Sequence, residues 1–267
     1  PCRHKKNEQL LQTLIFDFQL TPISPVSMRF RPRNHRDDTP EVFAQLVKIN
    51  PYMARVYDYP ELLITHPTPD NFQQLWSSKI KAVSDTHSGK VHLEIGCGSG
   101  RYLIEWAQEN PQDAFIGLEL RYKRLVLAAK KIEQQTISNI LLMRERGEFI
   151  DEYLSHNSID CLHINFPDPW SKKSRHKHRI LNADFLTKMY PYFRSGGELR
   201  FKTDHLEYFE TITDIIQNLE TYKIFEYSKD LHRSEYNAKN ILTEFEMLFK
   251  SKGNPPIGYL SAKASNK

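Results

Sequence analysis

Residues 91–100 read VHLEIGCGSG, a short apolar run that leads directly into three glycines at alternate positions. The apolar run has the length and composition of a buried strand. The turn after it needs residues that accept a positive φ and let a ligand approach the backbone, and glycine meets both needs. The stretch therefore predicts a strand, a ligand-binding turn and a helix in succession. A tight strand-to-helix connection without a ligand would show the same pattern.

Short apolar runs alternate with helix-length segments on the C-terminal side of this turn. Such alternation is typical of a parallel sheet with crossover helices. The predicted strands are VHLEI, AFIGLEL, NILLM, IDCLHINF and GELRFKT, and the predicted helices cover residues 101–108, 122–135, 147–154, 183–190 and 206–219. Two further runs, YKIFEYS and TEFEMLFK, predict an antiparallel hairpin. The fold class is therefore α/β, with a Rossmann-like, mostly parallel seven-stranded sheet, a C-terminal hairpin and helices on both faces.

The composition is that of a folded protein with a core of its own. Of the 267 residues, 39% are hydrophobic, which is enough to bury one large core. A formal charge of +4 is too small by itself to indicate a polyanionic partner. The three cysteines have no C-x-x-C spacing, which disfavours disulfides and structural zinc and favours a reducing, cytoplasmic setting. No run is apolar for long enough to predict a membrane span.

The N-terminal region differs from the rest. Residues 1–40 are basic and interrupted by proline, which predicts a flexible arm, and Met28 within it is a candidate for the biological start. Residues 41–267 are predicted to form one domain. Within it, residues 41–88 hold N-terminal helices, with amphipathic patterns around 41–49 and 71–83, and residues 89–267 hold the sheet.

The spacing of the glycines separates two classes of cofactor site. A dinucleotide fingerprint would place its third glycine at position 101, which is Arg101, whereas Gly96, Gly98 and Gly100 form G-x-G-x-G. This arrangement resembles that of methyltransferases that use S-adenosyl-L-methionine. The resemblance implies that cofactor.

Three further positions belong to the implied cofactor site. Glu119 ends the second strand, where a carboxylate can accept hydrogen bonds from both ribose hydroxyls, and Glu94 would face the cationic methionine end. After NILLM, where methyltransferases commonly offer an acidic or amide side chain to the adenine, Arg146 takes that position, with Glu145 and Glu148 beside it. Backbone groups are the alternative means of binding the adenine.

The fourth predicted strand leads into FPDPWSKKSRHKHR, residues 166–179. Pro167 and Pro169 restrict the backbone on both sides of Asp168, so a stiff turn presents this carboxylate. At this place many nucleic-acid and amine methyltransferases hold the group that positions the target atom, which makes Asp168 the candidate catalytic residue. An ordinary proline turn is the alternative. The cations of residues 172–179 suit phosphate binding, although a solvated charge run has the same composition.

The segment FPDPWSKKSRHKHRIL resembles the hallmark P-D-P-W-x-K-x-R-H-x-K-R-R of the tRNA (guanine-N7)-methyltransferase family of class I methyltransferases, in its bacterial type. The stretches IGCGSG, FIGLEL, FKTDH and TEFE match further motifs of this family in the same order, so the resemblance covers roughly residues 94–246. Ser171 and His178 depart from the pattern, since the family more often has proline and Arg or Lys there. Neither departure removes a predicted catalytic group.

The resemblance implies transfer of a methyl group from S-adenosyl-L-methionine to N7 of the guanine at tRNA position 46. Guanine N7 has a lone pair in the ring plane, so Asp168 is expected to position the base and to offset its growing charge rather than to remove a proton. Asp168 and Glu94 together also suit the cationic donor. The partner is tRNA, bound by a monomer or a homodimer.

The resemblance also implies a set of substrate-binding residues: Lys172, Asp204, Thr243, Glu244, Phe245 and Glu246. Without the family, Asp204 is equally a candidate helix N-cap, and TEFE is equally a plain strand segment.

Two other functions stay open. A methyltransferase of another nucleobase or of a small amine would have the same donor site and would act on substrates other than tRNA. A noncatalytic RNA-binding relative would keep the fold alone, but the presence of Glu94, Asp168 and Lys172 argues against it. The spacing of His163, His176 and His178 matches no zinc pattern, so no metal is predicted.

Overall fold

The computed structural model describes residues 47–48, 50–83, 89–250, 253 and 255–265. Its contacts separate residues Pro1–Ala54 from Arg55–Lys267, and the second unit contains the sheet. The predicted N-terminal arm, Met28 and most of the amphipathic segment at 41–49 lie outside the described residues. In the part that is described, no helix has the length and apolar character needed to cross a bilayer.

Most elements follow one another as the alternating pattern predicts, but the helix predicted at residues 147–154 is a 3-10 helix over Gly147–Glu152. The helices are α1 (Tyr52–Arg55), α2 (Pro69–Val83), α3 (Arg101–Glu109), α4 (Tyr122–Gln134), α5 (Ala183–Met189), α6 (Leu206–Asn218) and α7 (Glu244–Lys250). The strands are β1 (Leu63–Ile64), β2 (Val91–Ile95), β3 (Ala114–Leu118), β4 (Ile140–Met143), β5 (Ile159–Asn165), β6 (Phe193–Thr203), β7 (Tyr222–Ser228) and β8 (Gly258–Ala264). Short 3-10 helices cover Val56–Asp58, Gly147–Glu152, Lys173–His178, Tyr190–Tyr192, Leu231–Arg233 and Glu235–Lys239.

The eight strands form one sheet in the order β1-β4-β3-β2-β5-β6-β8-β7. Strands β1 to β6 pair in parallel, and β8 lies antiparallel between β6 and β7. The mostly parallel α/β fold is thus confirmed, with eight strands among the described residues rather than the seven predicted: six of the predicted strands are present, and β1 and β8 were not predicted. Strands β3 and β4 are buried at every position, because a parallel sheet is covered on both faces.

The prediction that TEFEMLFK forms the last strand is wrong, because residues 244–250 are helix α7 and the last strand is GYLSAKA. Thr243 and Glu246 start the helix as a capping box. The Thr243 hydroxyl accepts a hydrogen bond from the Glu246 amide at 3.1 Å, and the Glu246 carboxylate accepts one from the Thr243 amide at 2.8 Å. The T-x-x-E signature of this box is present in the sequence, but the aromatic residues around it favoured a strand.

The strand order determines where a ligand can bind. Strand β2 lies between β3 and β5. The chain therefore continues from β2 to β3 and β4 on one side, and it later adds β5 and β6 on the other side. In open α/β sheets this point of reversal forms a crevice beside the carboxyl ends of the strands. The loops after β2 to β6 therefore meet at the carboxyl ends of the parallel strands, which are called the sheet edge below. These loops carry most of the predicted site residues.

Candidate active site

The turn after β2, residues 96–100, is called the glycine turn below. All three of its glycines have positive φ values, 80° at Gly96, 57° at Gly98 and 82° at Gly100. A Cβ atom at Gly96 or Gly98 would meet nothing within 4 Å, so the space over the turn is open. At Gly100 a Cβ atom would lie 3.0 Å from the Ala128 side chain, so this glycine instead allows α3 and α4 to pack closely. Two glycines thus leave open space over the turn, and the third is needed for packing.

Glu94 lies at the end of β2 and is only 2% exposed. One carboxylate oxygen, Oε1, accepts a hydrogen bond from Asn165 Nδ2 at 3.0 Å. The other, Oε2, is buried and has no hydrogen-bond partner among the described residues, and the same holds for Asn165 Oδ1. Burial raises the pKa of Glu94 to about 7, against the opposing effects of Asn165 and Lys202.

Two buried acceptors without donors fit a cationic group that carries N–H bonds, such as the ammonium of a methionine moiety. S-adenosyl-L-methionine has this group, so the residues present fit the cofactor. The sequence did not single out Asn165. The feature of the sequence that could have identified it is its position as the last polar residue of β5, the strand that pairs with β2.

The other predicted cofactor residues follow β3 and β4. Glu119 is half-buried, and its Oε1 accepts hydrogen bonds from the amides of Leu120 and Arg121, both at 2.8 Å. Arg146 pairs through its guanidinium with the Glu148 carboxylate at 2.6 Å. The side chain of Arg146 is therefore engaged within its own loop, at the position where methyltransferases commonly offer an acid.

The reaction loop, residues 166–172, follows β5. Asp168 is exposed within it. Phe166 and Trp170 flank it with φ values of 49° and 42°, in the left-handed region that non-glycine residues avoid. Backbone of this kind costs about 1 kcal/mol or more per residue and persists only where the surroundings hold it. The Phe166 amide donates a hydrogen bond to the Lys202 carbonyl at 2.8 Å, which fixes the start of the loop to β6.

Arg179 is buried against the same loop. It was predicted to be one of the phosphate-binding cations, but its side chain binds the protein instead. It is only 4% exposed, and its Nε donates to the Pro169 carbonyl at 2.7 Å. Its guanidinium lies 4.4 Å from the centre of the Tyr208 ring and pairs with Glu207 at 2.9 Å. The exposed cations of the segment are Lys172, Lys173, Arg175, Lys177 and, when protonated, His178.

Asp204 is exposed at the end of β6, the strand next to β5. It does not cap helix α6. His205 does so instead, because its Nδ1 accepts a hydrogen bond from the Tyr208 amide at 3.2 Å. The exposed carboxylates of Asp204 and Asp168 thus follow neighbouring parallel strands.

The four residues of TEFE differ in exposure. Glu246 is fully buried, where its carboxylate lies 3.3 Å from Lys202 Nζ and 3.1 Å from His232 Nε2. Thr243 is also buried in the capping box, and the Phe245 ring is half-exposed. In this conformation Thr243 and Glu246 hold the segment in place, Glu244 is half-buried, and Phe245 is only partly exposed.

A second buried polar cluster lies on the neighbouring strands β2 and β5. His92, Cys161 and His163 bring three potential metal ligands within 4.8 Å of one another. Hydrogen bonds already engage the ring nitrogens: His92 lies 3.0 Å from His163 and 3.1 Å from Asp113, and His163 lies 3.0 Å from the Tyr102 hydroxyl. Burial holds the pKa of His163 well below its usual value. The cluster therefore fits a chain of hydrogen bonds through the core that ends on the Asp113 carboxylate.

Lys172 is expected to contribute to RNA affinity without contributing to chemistry. Lys172→Ala should raise the KM for tRNA about three- to tenfold and lower the dependence of log affinity on log salt by about one, with kcat unchanged, because the expected contact with one phosphate is removed. Steady-state kinetics at several salt concentrations measure both quantities. The control is Lys223→Ala, since Lys223 is exposed on the edge strand β7. Equal salt slopes for wild type and Lys172→Ala would contradict this role.

Comparison with known proteins agrees with this geometry. Residues 88–257 match the family model described as "Putative methyltransferase". The chain is 32% identical to the tRNA (guanine-N(7)-)-methyltransferase of Enterococcus faecalis, over 76% of this chain and 89% of that protein. It is 33% identical to the enzyme of the same name from Listeria monocytogenes, over 81% of this chain and 97% of that protein.

A longer relative is the bifunctional glycosyltransferase/methyltransferase of Fusobacterium nucleatum, which is 38% identical over 80% of this chain. The match covers 32% of that protein, so the chain spans about a third of its length.

Solved structures show the same fold. The 16S rRNA methyltransferase KamB aligns with a TM-score of 0.53 at 16% identity, over 76% of this chain and 99% of that chain. The antibiotic-resistance methyltransferase Kmr aligns with a TM-score of 0.52 at 15% identity, over 75% and 94%. Since the family model covers more than half of the chain and relatives above 30% identity align along most of their own length, the chain belongs to the tRNA (guanine-N7)-methyltransferase family.

Proposed function

We propose that this protein methylates N7 of the guanine at position 46 of tRNA, with S-adenosyl-L-methionine as the methyl donor. The observation that carries the proposal is the arrangement at one sheet edge. The unpartnered acceptors of Glu94 and Asn165 lie beside the open glycine turn, and Asp168 is presented on the loop that follows Asn165.

The donor, when bound, supplies a methyl group on a positively charged sulfur, from which a nucleophile displaces it. Gly96 and Gly98 leave the space that its backbone contacts require. Glu94 and Asn165 would accept hydrogen bonds from its ammonium group, and Glu119 would accept them from its ribose hydroxyls. With the Arg146 side chain paired to Glu148, backbone groups after β4 would recognise the adenine.

The guanine would lie over the reaction loop. Its N7 lone pair lies in the ring plane and would form the new bond to the methyl carbon as the bond from that carbon to sulfur breaks, without prior loss of a proton. Correct placement therefore matters more than base strength. Asp168 would accept hydrogen bonds from the N–H groups of the guanine and offset the positive charge that grows on the ring.

The RNA would be bound by the charged surface around this loop. Lys172 would contact phosphate, and Asp204 would border the base. Thr243, Glu244 and Glu246 would act chiefly by holding their segment against the sheet. We also propose that the protein is cytoplasmic and acts as a monomer or a homodimer.

Two tRNA transcripts test this function. A transcript that lacks modification should accept tritiated methyl, and the labelled base should be N7-methylguanosine. The same transcript with adenine at position 46 should accept none. Label at another guanine would contradict the proposed position, and label transferred only to other RNAs or to small amines would contradict the function.

A further inference from the structure

The carboxylate of Glu244 connects three parts of the chain. Its Oε1 accepts a hydrogen bond from the Ser99 hydroxyl in the glycine turn and lies 3.3 Å from Lys131 Nζ. Its Oε2 lies 2.7 Å from a terminal nitrogen of Arg124 on α4. Lys131 also donates to the Ser99 carbonyl, at 2.8 Å. Both oxygens of Glu244 are thus occupied by donors of the same chain, which favours an internal role over a direct contact with substrate.

The next residue, Phe245, contacts the reaction loop. Its ring stacks on that of Phe166, with 5.7 Å between the ring centres and 27° between the planes. Phe249 packs against Phe166 as well, at 5.8 Å. Phe166 has a φ of 49° and lies two positions before Asp168. The aromatic contact therefore adds to the packing of Phe166 against the buried Leu231, Ile257 and Tyr259, and together these contacts hold the unfavourable backbone at the entry to the loop.

We propose that Glu244 and Phe245 act together as a clasp that fixes the position of Asp168 relative to the glycine turn. Glu244 binds the turn, Phe245 binds the loop, and the two residues are consecutive in the chain, so a displacement of one displaces the other. Both are positioning residues rather than catalytic ones. The inference rests on the proposed function, because it assumes that the donor occupies the glycine turn and that Asp168 faces the base.

The clasp can be opened without unfolding its segment. The capping box of Thr243 and Glu246 and the buried Lys202 are independent of Glu244. The Leu242 carbonyl is also held separately, by Arg101 Nε at 3.2 Å. Substitution of Glu244 or Phe245 therefore leaves the rest of helix α7 in place.

The variants Glu244→Gln and Phe245→Ala test the proposal. Each should lower kcat about three- to tenfold, because misplacing a positioned group slows the chemical step, with little change in the KM for tRNA. Phe245→Tyr keeps the ring and should restore kcat. Met247→Ala is the matched control, since Met247 is exposed on the same helix. Glu244→Gln combined with Arg124→Met should lower kcat no further than Glu244→Gln alone, because both substitutions remove the same ion pair between Glu244 and Arg124.

Amide hydrogen exchange provides a readout that does not depend on activity. The amide of Phe166, which donates to the Lys202 carbonyl, and those of Asp168, Trp170, Ser171 and Lys172 should exchange faster in Glu244→Gln and Phe245→Ala than in the wild type, both without ligand and with S-adenosyl-L-methionine added. Pro167 and Pro169 have no amide hydrogen. A higher KM for tRNA with unchanged kcat and unchanged exchange would show that these residues bind RNA and would overturn the clasp. If the wild type does not methylate tRNA, the proposed function fails, and the exchange rates still decide the clasp.

Discussion

Asp168→Ala should lower the kcat for methyl transfer to tRNA by about 10²- to 10³-fold, the usual loss when one preorganised electrostatic contact is removed from a transition state. The effect should lie in kcat, because charge develops on the guanine only as the methyl group is transferred. Asp168 was also predicted to suit the cationic donor, but Glu94 and Asn165 hold the buried acceptors. The affinity for S-adenosyl-L-methionine should therefore fall less than tenfold.

Single-turnover kinetics and calorimetric titration measure the two quantities separately. Asp184→Ala is the control, since Asp184 is an exposed acid in the first turn of α5. Asp168→Asn keeps the shape and should recover only a small part of the rate, because the charge is missing. Full activity in Asp168→Ala would remove this residue from the mechanism, and an equal loss of donor affinity would make it a donor ligand instead.

Glu94→Gln should stabilise the ligand-free protein at pH 8 while weakening donor binding. The pKa of Glu94 is about 7 in the folded protein and 4.5 in an ordinary setting. The folded state therefore keeps its proton more tightly, and the wild type loses stability as the pH rises from about 4.5 through 7. Glutamine does not titrate, so the variant avoids that loss, whose upper limit is about 3 kcal/mol for this shift.

Donor binding should change in the opposite direction. Removing the charge that faces the ammonium should weaken S-adenosyl-L-methionine binding about ten- to hundredfold, the range of a charged hydrogen bond. Binding to the wild type should tighten as the pH rises through 7, because the ionised carboxylate is the form that binds a cation. Binding should also release protons, which calorimetry in buffers of different ionisation enthalpy detects.

Urea unfolding between pH 5 and pH 8 measures the stability difference between wild type and variant. Glu105→Gln is the control, because the side chain of Glu105 is 39% exposed and pairs only at the surface with Arg101. The gap between wild type and Glu94→Gln should widen over this range, whereas the control should follow the wild type. A gap that stays constant with pH would mean that Glu94 is ionised in the folded state throughout.

The outcome for Arg179 and for TEFE shows which predictions depended on context. Both segments were interpreted from composition: cations in a loop suggested phosphate binding, and aromatic residues suggested a strand. In the structure Arg179 is buried beneath the loop and donates to the Pro169 carbonyl, and residues 244–250 are helical. Composition describes which interactions a residue is able to make, whereas burial decides which of them it makes.

The sequence by itself determined the features that depend on neighbouring residues. The succession of strands and helices, the glycine turn and the proline-flanked Asp168 all follow from local backbone preferences, and the order of the motifs was enough to indicate the family. Only the tertiary structure decided the partners of Glu94 and Glu244. Their contacts join residues 71 and 145 positions apart, Glu94 with Asn165 and Ser99 with Glu244. Contacts at such separations, and the burial that shifts the pKa of Glu94, arise only when the sheet edge is assembled, because no local preference records them.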